Sequence, residues 1–137
     1  MPDERRHRRG LLDTSVVIDM ELLDPSQLPG VVAVSSLTMA ELSAGPHATT
    51  DPEECARRQD RLQRAEAAFD PIPFDADAAR AYGRIFSAVM ATGRKARGAR
   101  AVEMLIAATA LTTGLPLYTR NGDDFVGLHD LVEVVVL

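Results

Sequence analysis

The chain has 137 residues, with 15 Lys and Arg against 20 Asp and Glu, a formal net charge of −5, and 46% hydrophobic and 26% charged residues. That profile describes one globular domain with a sizeable core. It excludes a bilayer-spanning helix, since no apolar run approaches the roughly 20 residues required, and a disulfide framework or thiolate metal site, since Cys55 is alone.

The acidic balance argues against a general nucleic-acid-coating protein. It leaves room for a nuclease, whose acidic metal site subtracts charge locally. Residues 1–10 are basic, with Arg5, Arg6, Arg8 and Arg9, but no secretory apolar segment follows them. They are expected to form a solvated tail before a single domain over residues 11–137, with a cytoplasmic address.

In chain order, Leu11 and Leu12 predict a first strand, and Val16, Val17 and Ile18 begin a helix expected to end near Leu23. Pro25 and the Pro29-Gly30 pair mark a loop. Residues 31–34 are β-branched and predict a second, buried strand. Ser35 or Ser36 can cap a helix through about Ala44, which Gly45-Pro46 stops. Residues 51–69 predict a charged amphipathic helix with Leu62, Ala65 and Phe69 on its inner edge. Residues 71–74 predict a third strand. Asp75 or Asp77 then caps a helix whose inner face is expected to carry Ala79, Tyr82, Ile85, Phe86 and Met90.

After a polar loop over residues 92–98 comes a nearly all-apolar helix from about residue 101 to Gly114. A helix apolar most of the way round is a buried one. Leu115, Leu117 and Tyr118 lead into a fourth strand, the Arg120–Phe125 segment is a polar turn, and residues 131–137 read as a fifth strand. Strands alternating with helices predict an α/β fold, a three-layer α/β/α sandwich around a five-stranded parallel sheet.

Such sheets bind ligands beyond the carboxyl ends of their strands, where the winding reverses. Asp13 follows strand one, Glu41 lies within two turns of strand two, and Asp123 and Asp124 follow strand four. Glu103 is the only charged residue within the apolar helix. An ionised carboxylate in such surroundings costs several kcal/mol without a partner. It therefore lies on an exposed sliver of the first turn, pairs with Arg100, or faces a metal ion. Clustered carboxylates repel one another unless a cation sits between them. An oxygen-only set suits Mg²⁺ or Mn²⁺, and such a site fits phosphodiester hydrolysis. His7, His47 and His129 are too scattered to suggest zinc.

Taken together, LLDTSVVI at residues 11–18, MAEL at 39–42, IAATA at 106–110 preceded by Glu103, and GLPLYTRNxxDF at 114–125 resemble a PIN-domain ribonuclease of the VapC type, the toxin of VapBC toxin–antitoxin pairs. By that resemblance Asp13, Glu41, Glu103 and Asp124 are the catalytic acids, with Asp13 and Glu103 on the metal. Asp123 is a weaker match than Asp124. Glu103 stands where the family usually has Asp, so retained activity requires the site to absorb one extra methylene. Thr14, Ser15, Thr119 and Asn121 match the polar residues that orient the metal-bound water. Arg100 matches a basic residue often found one turn before the third acid.

The resemblance further implies a Mg²⁺- or Mn²⁺-dependent endoribonuclease leaving 5′-phosphate and 3′-hydroxyl ends, a homodimer, and a VapB-type antitoxin that blocks the site. RNA contact is expected from Arg94, Lys95, Arg97, Arg100 and Arg120. A non-catalytic module on the same fold is the alternative. A receiver-type signalling domain fits less well, because the single Lys, Lys95, precedes strand four.

Overall fold

The computed structural model describes residues 7–94 and 99–137. Four parallel strands are formed among them: β1 (Arg9–Leu12), β2 (Val31–Ala33), β3 (Leu117–Thr119) and β4 (Val134–Val136), in the order β2-β1-β3-β4. The helices are α1 (Thr14–Ile18), α2 (Ser36–Ala44), α3 (Pro52–Ala68), α4 (Ala76–Ala91) and α5 (Ala99–Thr113). The chain winds from β1 outward to β2, then returns to add β3 and β4 on the other side of β1. The winding therefore reverses between β1 and β3, and the crevice beyond their carboxyl ends is the place where such sheets bind ligands.

The expected five-stranded sheet is corrected to four strands. The missing one is residues 71–74, where only Ile72 pairs, in a single parallel bridge with Ser35. Ile72 donates its N–H to the Val34 carbonyl at 2.9 Å and accepts from the Ser36 N–H at 2.8 Å. The next bond would run from the Phe74 N–H to the Ser36 carbonyl, but the partner chain turns into α2 at Ser36, so the pairing stops at one bridge. The first strand is longer than expected: it begins at Arg9, inside the expected basic tail, and the His7 ring nitrogen lies 2.9 Å from the Glu133 carboxylate.

Side chains alternate across the sheet with the period of two that strands impose. Leu11 and Leu117 face α4 and α5, packing with Ile85, Val89, Met104, Ile106 and Phe125. Leu12, Tyr118 and Val135 face the other way, onto Val16, Leu42 and Leu62 of α1, α2 and α3. Helix α5 is buried as its apolar composition required, at Met104, Ile106, Ala107, Ala108 and Ala110. Gly114, at φ +69°, ends α5 in the left-handed conformation that glycine adopts without steric cost. At Gly10 a Cβ would lie 2.6 Å from the Tyr118 ring, so glycine lets β1 run against that aromatic.

Two helices differ from expectation in detail. The first breaks at Asp19 into a 3₁₀ turn, Met20–Leu22, before reaching Leu23. On α4 the buried positions are Ala78, Ile85 and Val89, whereas Phe86 and Met90 are exposed. The apolar stripe of α4 is two residues wide in sequence, and packing against α5 covers only one half of it. Among the described residues no helix is long and apolar enough to cross a membrane.

Candidate active site

Asp13 is the residue at which β1 becomes α1. Its backbone N–H donates to the Tyr118 carbonyl at 2.8 Å, continuing the pairing with β3, while its side chain caps the helix. Oδ1 accepts from the Thr14 N–H at 2.8 Å, and Oδ2 accepts from Ser15 Oγ at 2.9 Å and Thr119 Oγ1 at 2.8 Å. With 1% of its surface exposed, this carboxylate depends on those three donors, since a buried charge without hydrogen bonds would be strongly destabilising.

Thr119 ends β3 and is fully buried. Its hydroxyl also accepts from the Asn121 N–H at 3.0 Å, while Ser15 Oγ accepts from the Arg120 N–H at 3.1 Å. The segment after β3 is thus tied to the start of α1 through two hydroxyls. Thr14 turns toward α2: its Oγ1 donates to Glu41 Oε1 at 2.6 Å and lies 2.9 Å from Thr38 Oγ1. Thr38 is a buried participant absent from the sequence expectations. Its spacing three residues before Glu41 was the available signal, because i and i+3 share a helix face.

Glu103 projects from the first half of α5 toward the same crevice. Its Oε2 is buried and has no hydrogen-bond partner. Its pKa is pushed up from 4.5 to about 9, by burial first, then by the charge and side-chain contact of Asp13, and then by the charges of Glu41 and Asp124. Of the three readings open from sequence, the exposed sliver is removed by the burial of that oxygen. No ion pair joins Glu103 to Arg100. What is left is a carboxyl group held among three other acids, which burial and repulsion keep protonated in the absence of a cation.

Asp124 follows β3 in the 3₁₀ turn Gly122–Phe125, which Asn121 precedes; Asp124 N–H donates to the Asn121 carbonyl at 3.0 Å. Asn121 itself is exposed and makes no side-chain cap bond. The four expected acids, on four separate segments, are therefore brought together. Among the described residues, however, no three His, Cys, Asp or Glu side chains already stand as a metal-holding group. The donor chemistry fits a hard divalent ion, as does the orphaned Glu103 oxygen, but binding would have to draw the carboxylates inward.

The expected basic residues are less uniform. Arg94 donates to the Asp123 carbonyl, and Arg120 pairs with Asp19 at 3.3 Å. Arg100 lies on α5 one turn before Glu103. Lys95 and Arg97 lie outside the described residues.

The fold, with acids at the carboxyl ends of β1 and β3 and on two covering helices, defines a class, and comparison with known proteins identifies it. The PIN-domain profile matches residues 10–128, and the chain belongs to the PIN-domain family. It is 34% identical over 131 residues to Ribonuclease VapC5 of Mycobacterium tuberculosis, a match spanning 93% of each chain. The crystal structure of VapBC-5, a member of the VapBC family of toxin–antitoxin systems from the same organism, superposes with a TM-score of 0.80 at 34% identity, covering 95% of this chain and 98% of that one. FitAcB from Neisseria gonorrhoeae gives a TM-score of 0.68 at 27% identity, covering 90% and 94%.

Proposed function

We propose that this chain is the endoribonuclease toxin of a VapBC-type toxin–antitoxin pair, hydrolysing RNA phosphodiester bonds at the crevice between β1 and β3. The observation that carries this reading is the convergence of Asp13, Glu41, Glu103 and Asp124, with the Glu103 oxygen left unpaired, in a chain similar over nearly its whole length to a ribonuclease.

Asp13 and Glu103 are the residues that would hold a Mg²⁺ or Mn²⁺ ion, with Glu41 and Asp124 acting through water or on a second ion. When bound, such an ion lowers the pKa of its water and neutralises charge on the phosphorus oxygens in the transition state. The chain's own part is orientation. Thr14 N–H, Ser15 and Thr119 fix the Asp13 carboxylate, so that it does not swing away from the cation. Thr14 steers Glu41 toward the same crevice. Glu41 or Asp124 would accept a proton from the attacking water as its oxygen bonds to phosphorus, and the P–O3′ bond breaks on the opposite side, the 3′-oxygen taking a proton from solvent.

The partner reading rests on the solved complexes to which the chain is similar. An antitoxin segment has a ready seat in a groove of about 340 Å³ between α1 and α3, with an apolar floor of Val17, Ile18, Met20, Ala65 and Phe69 and a charged edge of Glu21, Arg61 and Arg64. The proposal extends to a homodimer and a cytoplasmic location, which the resemblance to the VapC type implies.

Cleavage of total RNA by the purified, antitoxin-free chain tests it. Discrete fragments with 5′-phosphate ends are expected with Mg²⁺ or Mn²⁺, and none with EDTA. Asp13→Ala and Glu103→Gln should lose more than about 100-fold in rate, since changes to groups one layer further out already reach that range. Glu103→Asp should keep activity. A folded wild-type chain that cuts nothing with either metal would overturn the reading in favour of a binding module.

A further inference from the structure

A second cleft, of about 350 Å³, opens beside the acids and is walled on one side by Thr14 and Glu41 and on the other by Glu54, Arg58 and Arg61 of α3. Arg58 is already anchored: its Nε donates to Glu54 at 3.0 Å and its Nη1 to the Gly45 carbonyl at 2.9 Å. Glu54 is neutralised twice, by Arg58 and by Arg57 at 2.8 Å. Arg64, about two turns further along, pairs with Glu21 and with Asp60. Arg61 differs from these three. It is half-buried and makes no hydrogen bond or ion pair among the described residues, with only the charge of Glu21 acting on it, and it lines a cleft whose other wall is Thr14 and Glu41 of the acidic site.

An unpaired guanidinium held beside a carboxylate site calls for an anion. We infer that Arg61 binds the RNA phosphate next to the scissile one, with Arg58 as a rigid positive wall. The inference rests on the ribonuclease reading, and it assigns the path by which the strand leaves the site.

Charge distribution among the described residues favours this exit. On the opposite rim Asp123 and Asp124 repel a phosphate, Arg120 is taken by Asp19, and Arg94 is taken by the Asp123 carbonyl, which leaves Arg100 of α5 as the competing cation among the described residues. A guanidinium fork matches two phosphate oxygens at once, which makes it a positioning group as well as a charge. Glu41 stands at the junction, so a strand placed on the acids by one phosphate meets Arg61 with a neighbouring one.

The test compares Arg61→Gln, Arg61→Lys and, as a control outside the cleft, Arg64→Gln in the full chain. Cleavage is read with a quenched-fluorophore RNA taken from a site cut in total RNA. Binding is read by anisotropy of a short fluorescein-labelled single-stranded RNA in EDTA, over about 50 to 200 mM salt. Arg61→Gln should raise KM about tenfold with kcat nearly unchanged, the pattern of a lost binding contact. The slope of log affinity against log salt should fall by about 0.7, one phosphate's worth on a single strand. Arg61→Lys should recover most of both effects, and Arg64→Gln should match wild type.

An Arg61→Gln variant with wild-type KM and wild-type salt slope overturns the inference. So does one that binds RNA normally but fails to hold a co-expressed VapB-type antitoxin, because the cleft is then a protein seat. If wild type cleaves nothing, the ribonuclease reading has failed separately. The salt slope in EDTA then still decides whether Arg61 meets a phosphate.

Discussion

The two sides of the acidic crevice are built on opposite principles. At the junction of β1 and α1, Asp13 is buried and fully satisfied, with a backbone N–H and two hydroxyls on its two oxygens. Across from it on α5, Glu103 is inserted among apolar neighbours with a buried oxygen left unpaired and three carboxylates around it. The first side is stable without a ligand and holds a charge in place. The second stores an unmet electrostatic demand that a cation would relieve. If the site takes an ion as proposed, it benefits from both: one acid pre-organised, and another whose cost is recovered on binding.

Removing the satisfied acid should have the largest effect. Asp13→Ala leaves three donors facing an apolar gap and removes a helix cap, so it should lower folding stability by about 3 kcal/mol in denaturant titrations, besides ending cleavage. Stability equal to wild type would mean that the hydroxyls find other partners and that Asp13 organises nothing.

Replacing the unsatisfied acid should act in the opposite direction. A carboxyl whose folded pKa is raised contributes stability that is fully present below its unfolded pKa and is lost as pH rises through the folded one. For Glu103 that window runs from 4.5 to about 9. Metal-free wild type should therefore lose melting temperature across this range, while Glu103→Gln, which cannot ionise, should stay flatter and melt ~3 °C higher at alkaline pH. Added Mn²⁺ should raise the wild-type melting temperature more at high pH than at low, because proton and cation compete for the same oxygens. Parallel pH profiles for the two proteins would show that Glu103 is not under electrostatic stress.

The smallest effect is expected one layer out. Thr119→Val removes a single hydroxyl donor from Asp13 and should cost about 1 kcal/mol of stability and about tenfold in metal affinity, read by calorimetric titration with Mn²⁺. An unaltered affinity would place Thr119 in the structural background and leave Ser15 as the orienting hydroxyl.

Much of this arrangement was legible in the chain, for physical reasons that differ by residue. Asp13 was visible because a carboxylate directly after an apolar pair and before Thr-Ser has few places to go other than a strand end and a helix cap. Glu103 was visible because a lone charge in an apolar helix is anomalous. Glu41 and Asp124 were less conspicuous, since acids on an amphipathic helix or in an Asn-Gly-Asp turn are ordinary surface residues; their family motif singled them out. Thr38 was passed over because a buried hydroxyl leaves no trace in a hydrophobic pattern. Arg61 was hidden among the arginines of α3, all of which suit a solvated face until their partners are counted.

The sequence by itself determined the alternation of strands and helices, the burial of α5, a cap at Ser35 or Ser36 and another at Asp75 or Asp77, and the position of the acids relative to strand ends. These are local properties, set by periodicity, side-chain capping and proline or glycine punctuation. Only the tertiary structure decided that residues 71–74 contribute one bridge and not a strand, and that Ile85 and Val89 are covered while Phe86 and Met90 are not. It also decided that the Glu103 oxygen faces three carboxylates with no partner of its own. Each of those outcomes depends on what packs against a segment, and that information resides in residues distant along the chain.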